Sequence, residues 1–245
     1  MDELEVRQEP RCGGSLRACL DLYVGEFSLL RHSFYQAWQR GELSVDDLKV
    51  YAKEYYHLEA YLPRMLSRVH SAMEDPGQRR EVLLNLISEE GEAKTHRELW
   101  AQFAGALGVS KEALETHAPS AATRRTIETL SGLVSGDWRE GLAALYAYES
   151  QQPEVARSKS EGLVKFYGFG APSADGLEFF HVHQEADQWH SDAEASLLEQ
   201  SVDSGMTSRV LNSARESARA LWEFLDGVSA QIGLKCQAEP VCSLN

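Results

Sequence analysis

The stretch from Leu177 to Val202 constrains the fold most, because it contains neither proline nor glycine and is long enough for about seven turns of α-helix. Within it His183, Asp187 and His190 are spaced i, i+4 and i+7, so they project from one face of the predicted helix. The other residues of that face are apolar: Phe179, Ala186, Ala193 and Leu197. Burying ionisable groups is costly unless they are paired or bind a metal. We therefore predict that this face binds a metal ion.

Alternatives remain for each of these residues taken singly. A buried histidine is more often a hydrogen-bonded core residue than a metal ligand. Glu194 continues the same stripe at i+11 and competes as a ligand. His181 lies about 200° around the helix from His183, so we expect it to face solvent.

The chain has 245 residues and a formal net charge of −14, and it is rich in alanine, leucine and glutamate. This composition favours an all-α fold. The acidic balance argues against nucleic acid or an anionic membrane as partner, since both require a basic surface. No stretch approaches the roughly 18 apolar residues of a membrane span, and the acidic N-terminus does not resemble a signal peptide. We expect a soluble cytoplasmic protein.

Four cysteines lie near the two ends of the chain: Cys12, Cys19, Cys236 and Cys242. In a chain of this size they do not form a disulfide scaffold, and Cys236 and Cys242 lack the close spacing of a zinc site. The pair in the tail could have a redox role, or it could be two exposed thiols on a frayed end.

Helical periodicity covers most of the chain and predicts one domain over residues 15–234. We expect a disordered N-terminus at 1–14 and an irregular tail at 235–245. The predicted helices run from about Ser15 through Leu30 to Gly41; from Ser44 with a kink at Pro63; from about Arg79 to Leu107; after Ser110; from Ser120 to about Val134; from Asp137 to Tyr167 with an interruption at Pro153; and from about Met206 to Ile232.

Two further predicted helices direct polar side chains towards the core. Glu89 and His96 lie on the apolar stripe of the helix predicted over Arg79–Leu107, and Glu149 shares a face with Leu142 and Leu145. With the first helix, this makes three carboxylates and three imidazoles. Two ions sharing these ligands would keep vacant positions for substrate or oxygen. Ligation by carboxylate and imidazole without thiolate suits iron or manganese. A zinc hydrolase is compatible with these ligand types but would use fewer of them.

The three motifs together resemble the family of the chlamydial protein associating with death domains, within the larger group of heme-oxygenase-like di-metal oxidases that includes PqqC and TenA. The spacing that carries the resemblance is Glu-x6-His, then Glu, then His-x3-Asp-x2-His. It is found in Asn85–Gly91 with His96, in Leu145–Gln151 and in His183–His190. The similarity extends over nearly the whole chain.

This resemblance implies a seven-helix heme-oxygenase-like bundle with a di-iron or manganese–iron centre. Its implied metal ligands are Glu89, His96, Glu149, His183, Asp187 and His190. The implied activity is a single-turnover, oxygen-dependent synthesis of para-aminobenzoate for folate from the protein's own tyrosine. That activity would use an external reductant, whose donor the sequence does not identify. Related folds are often dimers, so we expect a homodimer.

Three residues align with those that react in the family. Tyr35 aligns with the sacrificed tyrosine, Tyr51 with a second tyrosine beside it, and Lys159 with the lysine proposed to give its amino group. A tyrosine ring with its β-carbon has the seven carbons of para-aminobenzoate, and its conversion requires a metal–oxygen oxidant. Without the resemblance, Tyr35 and Tyr51 are ordinary core residues and Lys159 is a surface lysine.

Three other functions remain open. The same di-metal oxidase could act on an external small molecule, such as a fatty acid or an amino acid. A TenA-like hydrolase of thiamine fragments normally needs a cysteine nucleophile, and no cysteine lies near the predicted ligand helices in sequence. The third alternative is a metal-free binding or scaffold protein.

Overall fold

The computed structural model describes residues 14–91, 93–170 and 176–241. Their regular secondary structure consists of twelve α-helices and one 3₁₀ helix, with no β-strand in these ranges. The α-helices are α1 (Leu16–Gly25), α2 (Ser33–Arg40), α3 (Val45–Glu59), α4 (Leu62–Ala72), α5 (Pro76–Glu90), α6 (His96–Ala106), α7 (Lys111–Glu115), α8 (Ala121–Leu133), α9 (Trp138–Glu149), α10 (Gln152–Phe166), α11 (Glu178–Ser201) and α12 (Thr207–Gln231). The 3₁₀ helix spans Leu29–Arg31.

The all-α prediction is confirmed, and several helix starts agree with the predicted capping chemistry. The side chains of Ser44, Ser110, Ser120 and Asp137 each accept a hydrogen bond from a backbone N–H in the first turn of the adjoining helix. Such a cap stabilises a helix by about 1 kcal/mol because it satisfies a backbone donor that has no partner within the helix. The uninterrupted α11 also agrees with the prediction from its sequence.

The predicted count of seven helices is wrong for the described residues, because local signals divide the longer segments. The helix predicted over Arg79–Leu107 is two helices, α5 and α6. Thr95 and Glu98 form a reciprocal capping box that begins α6. Pro63 and Pro153 lie in the first turns of α4 and α10, where the missing N–H of proline costs nothing. Both prolines therefore begin new helices rather than bending continuous ones.

The helices enclose one contiguous apolar core. Helix α12 packs against α9, α8 and α1, while α11 packs against α10 and α9 and also contacts α5 and α6. The inner face of α12 includes Leu221, Phe224, Leu225 and Val228, all buried. Each such side chain contributes roughly 1.5–3 kcal/mol when it leaves water. This arrangement makes α11 the common neighbour of the three other helices that carry predicted ligands.

After α12, residues 235–241 run without helix and contact the first residue of α2 and the end of α1. The backbone N–H groups of Gln237 and Ala238 donate to Ser33 Oγ at 3.0 and 3.1 Å, and Val241 N–H donates to the Glu26 carbonyl. Residues 1–13 and 242–245 lie outside the described part, and with them most of the N-terminal segment predicted to be disordered, Cys12 and Cys242. None of the described helices combines the length and apolar character needed to cross a lipid bilayer.

Candidate metal centre

The structure brings the six predicted ligands together in two groups of three. One group is Glu89, His96 and His183, and the other is Glu149, Asp187 and His190. In each group the potential ligand atoms lie within 4.8 Å of one another. All six side chains are buried, with no more than 3 % of any residue exposed. His181 is exposed, as predicted.

Helix ends place three of the six ligands. Glu149 is the last residue of α9, and Glu89 is the last but one of α5. His96 is the first residue of α6, and its Nδ1 lies 2.8 Å from Glu89 Oε1. The prediction that Glu89 and His96 share one face of one helix is wrong, because they belong to two helices. The two side chains nevertheless meet, as the prediction required.

The unsatisfied atoms of this cluster fit divalent cations. Among the described residues, no hydrogen bond satisfies Glu89 Oε2, His183 Nε2, Asp187 Oδ2 or His190 Nδ1, and the 2.8 Å contact of His96 Nδ1 with Glu89 Oε1 lacks hydrogen-bond geometry. Buried polar atoms almost always have partners, so a cluster of six orphans in one place requires an explanation. His183 Nδ1 donates to the Phe179 carbonyl at 2.7 Å, which leaves the Nε2 lone pair facing the cluster, as in metal-binding histidines.

The electrostatics of the cluster also favour added positive charge. Burial raises the pKa of Glu149 to about 8 and that of Asp187 well above its usual value, since a charged carboxylate loses its hydration there. Burial lowers the pKa of His96, but the neighbouring carboxylates outweigh this effect and raise it to about 9. Burial and the positive charge of His96 lower the pKa of His183. Divalent ions would replace the protons that these carboxylates otherwise need.

Three buried polar residues lie beside the ligands. The Asn85 amide donates to both oxygens of Glu149 at 3.0 Å and so orients a predicted ligand. Glu194, the rival ligand, is buried with both oxygens unpartnered in the described structure, but it belongs to neither group of three. The sequence reasoning missed Glu59, which is buried beside Glu89. Its spacing of i+4 from Tyr55 was the available signal.

The three predicted reactive residues form a buried hydrogen-bonded chain. The hydroxyl oxygens of Tyr35 and Tyr51 are 2.9 Å apart, and Lys159 Nζ donates to the Tyr51 hydroxyl at 2.7 Å. Lys159 is only 2 % exposed, which corrects its interpretation as a surface lysine. The cause is the close approach of α10 to α2, where a Cβ at Gly162 would lie 2.7 Å from Trp38 Cδ1.

Aromatic rings connect this chain to the metal ligands. The Lys159 ammonium group lies 4.9 Å from the ring centroid of Tyr55, and that ring is 4.6 Å from Trp100. Phe179 packs between Trp100 and His183, with centroid distances of 4.7 and 3.9 Å. The tyrosines and the ligands therefore belong to one continuous buried site.

A third set of ligand-type residues lies elsewhere, at His32, Asp226 and Cys236. His32 Nδ1 accepts a hydrogen bond from the Phe34 N–H at 3.0 Å, so the neutral ring carries its proton on Nε2. That nitrogen lies 3.1 Å from Asp226 Oδ1, which can accept the proton's hydrogen bond. Protein groups satisfy both ring nitrogens of His32, whereas each histidine of the main cluster has one unsatisfied nitrogen.

Comparison with known proteins identifies the family. A family model described as an iron-containing redox enzyme, with a heme-oxygenase-like name, matches residues 49–222. The chain belongs to this family. Among its relatives, the 4-aminobenzoate synthase of Chlamydia muridarum is 41% identical over 209 residues, covering 84% of this chain and 87% of the relative. The 4-aminobenzoate synthase of Nitrosomonas europaea is 37% identical, covering 92% and 96%. The resemblance drawn from the three motifs is thus confirmed.

Solved structures place the family's fold. A TenA homologue from Pseudomonas syringae pv. tomato superposes with a TM-score of 0.74 at 14% identity, covering 88% of this chain and 91% of that one. A CADD-like protein of unknown function from Nostoc punctiforme gives a TM-score of 0.67 at 15% identity, covering 88% and 96%. The heme-oxygenase-like, TenA-like fold is confirmed, and these distant likenesses concern the fold alone.

Proposed function

We propose that this chain is a di-metal oxygenase that makes 4-aminobenzoate from its own Tyr35 in a single turnover. The observation that carries the proposal is the buried chain of Lys159, Tyr51 and Tyr35 beside a cluster of six orphaned ligand atoms. A lysine amine, a tyrosine ring and a metal-binding cluster are the components that the conversion needs. The names of the relatives at 37–41% identity support the same product.

In this proposal Glu89, His96 and His183 hold one ion, and Glu149, Asp187 and His190 hold the other. The ions are two irons, or manganese and iron, since the ligands are carboxylates and imidazoles without thiolate. When bound, they supply the oxidising power of dioxygen, with electrons from an external reductant. Asn85 holds the Glu149 carboxylate in place, and the Phe179 carbonyl fixes the tautomer of His183.

The remaining residues position the organic reactants. Tyr35 is fixed in α2 and 3 % exposed, so it has the proximity of an intramolecular reactant and is shielded from water. Burial lowers the pKa of Lys159 to about 7, which gives a large neutral fraction near neutral pH. Only a neutral amine has the lone pair needed to form a bond to carbon. The Tyr51 hydroxyl connects this amine to the Tyr35 hydroxyl.

An external substrate is the alternative. The family also reaches a 4-chloro-allylglycine synthase of Streptantibioticus cattleyicolor, which is 26% identical over 206 residues. Its name indicates chemistry related to a free amino acid. In that case added substrate would be turned over many times, and Tyr35 would survive.

The test is release of 4-aminobenzoate from metal-loaded protein exposed to oxygen and reductant. We expect no more than one product molecule per chain, with a matching mass loss on the peptide that contains Tyr35. Tyr35→Phe should release none, while Tyr61→Phe, a tyrosine outside the chain of hydroxyls, should behave as wild type. Undiminished product from Tyr35→Phe would contradict the assignment. The homodimer and the cytoplasmic location remain predictions.

A further inference from the structure

A cavity of about 290 Å³ opens at the break between α3 and α4 and reaches the metal cluster. Its inner wall includes the carboxyl-bearing residues Glu59 and Glu89. Its outer wall includes Glu90, Thr95 and Arg97, and Glu90 and Arg97 are exposed. The cavity therefore connects solvent with a predicted ligand of the first group of three.

Glu59 lines the inner part of this cavity, and its carboxyl group is buried with one oxygen unpartnered among the described residues. The residue is 1 % exposed, and the unpartnered oxygen is Oε2. One oxygen is therefore available to a ligand, in a place where an unpaired polar atom costs about 1–3 kcal/mol.

Glu59 is distinct from the six ligands in its position. It belongs to none of the groups of three whose ligand atoms lie within 4.8 Å of one another in the described structure. It nevertheless faces the charges of Glu89, His96 and Asp187. A carboxylate in this position lies on the way to the centre rather than in it.

We propose that Glu59 is a transfer ligand, which takes a divalent metal ion from the cavity and passes it to Glu89 and His96. This inference rests on the metal centre of the proposed function. A hydrated ion that enters a buried site exchanges its waters for protein oxygens one at a time, because a bare ion in a dry interior is prohibitively costly. Glu59 supplies an oxygen at the step before Glu89. The exchange releases water and involves no change of oxidation state.

Glu194 provides a matched control. Like Glu59, it is a buried glutamate, 3 % exposed, with unpartnered oxygen and with other cluster carboxylates near it. It differs in access, because the pocket beside it measures only about 10 Å³. That volume is close to the minimum for a single water molecule, so no hydrated ion can approach by that side.

The experiment measures the uptake of Co²⁺ by metal-free protein in a stopped-flow absorbance assay, together with the final metal content. We expect wild type and Glu194→Gln to load at similar rates. Glu59→Gln should load at least about tenfold more slowly, because the transition state for entry of the ion loses one charged contact. It should still reach the same final metal content. Ala60→Phe, which fills the cavity without removing a carboxylate, should also load slowly, and it tests the route if Glu59→Gln fails to fold.

Four results would overturn the inference. Two are a wild-type loading rate in Glu59→Gln and a wild-type loading rate in Ala60→Phe. The third is a loading rate in Glu194→Gln that is slowed as much as in Glu59→Gln. The fourth is a lower final metal content in Glu59→Gln, which would make Glu59 a permanent ligand. A wild-type protein that takes up no Co²⁺, Mn²⁺ or Fe²⁺ would instead contradict the metal centre itself. The two failures are therefore distinguishable.

Discussion

The side-chain nitrogen of Lys159 lies 2.7 Å from the hydroxyl oxygen of Tyr51 and donates a hydrogen bond to it. The hydroxyl of Tyr35 lies beyond, 2.9 Å from that of Tyr51. The lysine therefore reaches the polar end of the proposed substrate tyrosine through a second tyrosine, while its nitrogen is 4.9 Å from the Tyr35 ring centroid. The role of the bridging Tyr51 hydroxyl can therefore be tested by substitution.

Tyr51→Phe should lower the yield of 4-aminobenzoate by about tenfold or more, since it removes the group that aligns the amine with Tyr35. The apolar core should survive, because only one oxygen is lost. The measurement is product per chain by mass spectrometry. Tyr56→Phe, on the same helix but outside the hydroxyl chain, is the control. An unchanged yield from Tyr51→Phe would show that the bridge has no role.

Lys159→Met should stabilise the protein near pH 7. The pKa of Lys159 falls to about 7 in the folded state because of burial, whereas the unfolded side chain keeps a value near 10.5. Between these values the unfolded state binds more protons, so wild-type stability rises with pH. The advantage of the variant should therefore shrink between pH 7 and 9.5. Urea unfolding at both pH values measures this, and an advantage that does not change with pH would contradict the lowered pKa.

Asp187→Asn should have opposite effects without and with metal. Burial raises the pKa of the Asp187 carboxyl in the folded state. At pH 7 this lowers the free energy of unfolding of the metal-free protein. The loss disappears as the pH falls below the pKa that the carboxyl has in the unfolded state. Metal-free variant should melt above metal-free wild type. Added Mn²⁺ at 100 times its Kd should stabilise wild type by about 2.7 kcal/mol for each ion bound and the variant less, because the variant loses a ligand of one ion.

The exposed Asp192 on the same helix provides the control for that experiment. Asp192→Asn should change stability by no more than about 1 kcal/mol, and equally with and without metal. The prediction fails if Asp187→Asn retains the full stabilisation by metal.

Asn85→Leu should weaken metal binding by about 10–100-fold, because the residue holds both oxygens of Glu149. Isothermal titration with Mn²⁺ measures the change. Asn212→Leu alters an exposed asparagine on α12 and should leave the affinity unchanged. Equal affinities in the two variants would exclude a positioning role for Asn85.

Periodicity alone predicted α11 and the direction of its three ligands, because a helix without proline or glycine has only one regular way to present them. It could not predict the break before His96, since the capping box of Thr95 and Glu98 acts against an apolar stripe that continues across it. His96 and Glu89 are still in contact across this break. The proximity of these two residues was therefore predicted correctly, although the single helix predicted to carry both residues was not.

The burial of Lys159 and the position of Glu59 could not be predicted from local sequence, for physical reasons. A lysine is almost never fully buried, so nothing local distinguishes Lys159 from a surface residue. Its burial depends on the contact of Gly162 with Trp38, which are far apart in sequence. Glu59 is followed by a helix end at Ala60, and only the three-dimensional arrangement shows that this end faces Glu89.

In the proposed reaction, the burial of Tyr35 also affects the stability of the protein that remains. The side chain is packed between Phe34 and Tyr51, with ring centroids 5.7 and 6.2 Å away. Excision of such a ring from a packed interior leaves a void that costs about 3–5 kcal/mol, a large part of the 5–15 kcal/mol that keeps a typical domain folded. Protein that has reacted would be less stable than unreacted protein and more readily degraded by cellular proteases. The cavity left by the Tyr35 ring would thus direct the reacted protein towards degradation.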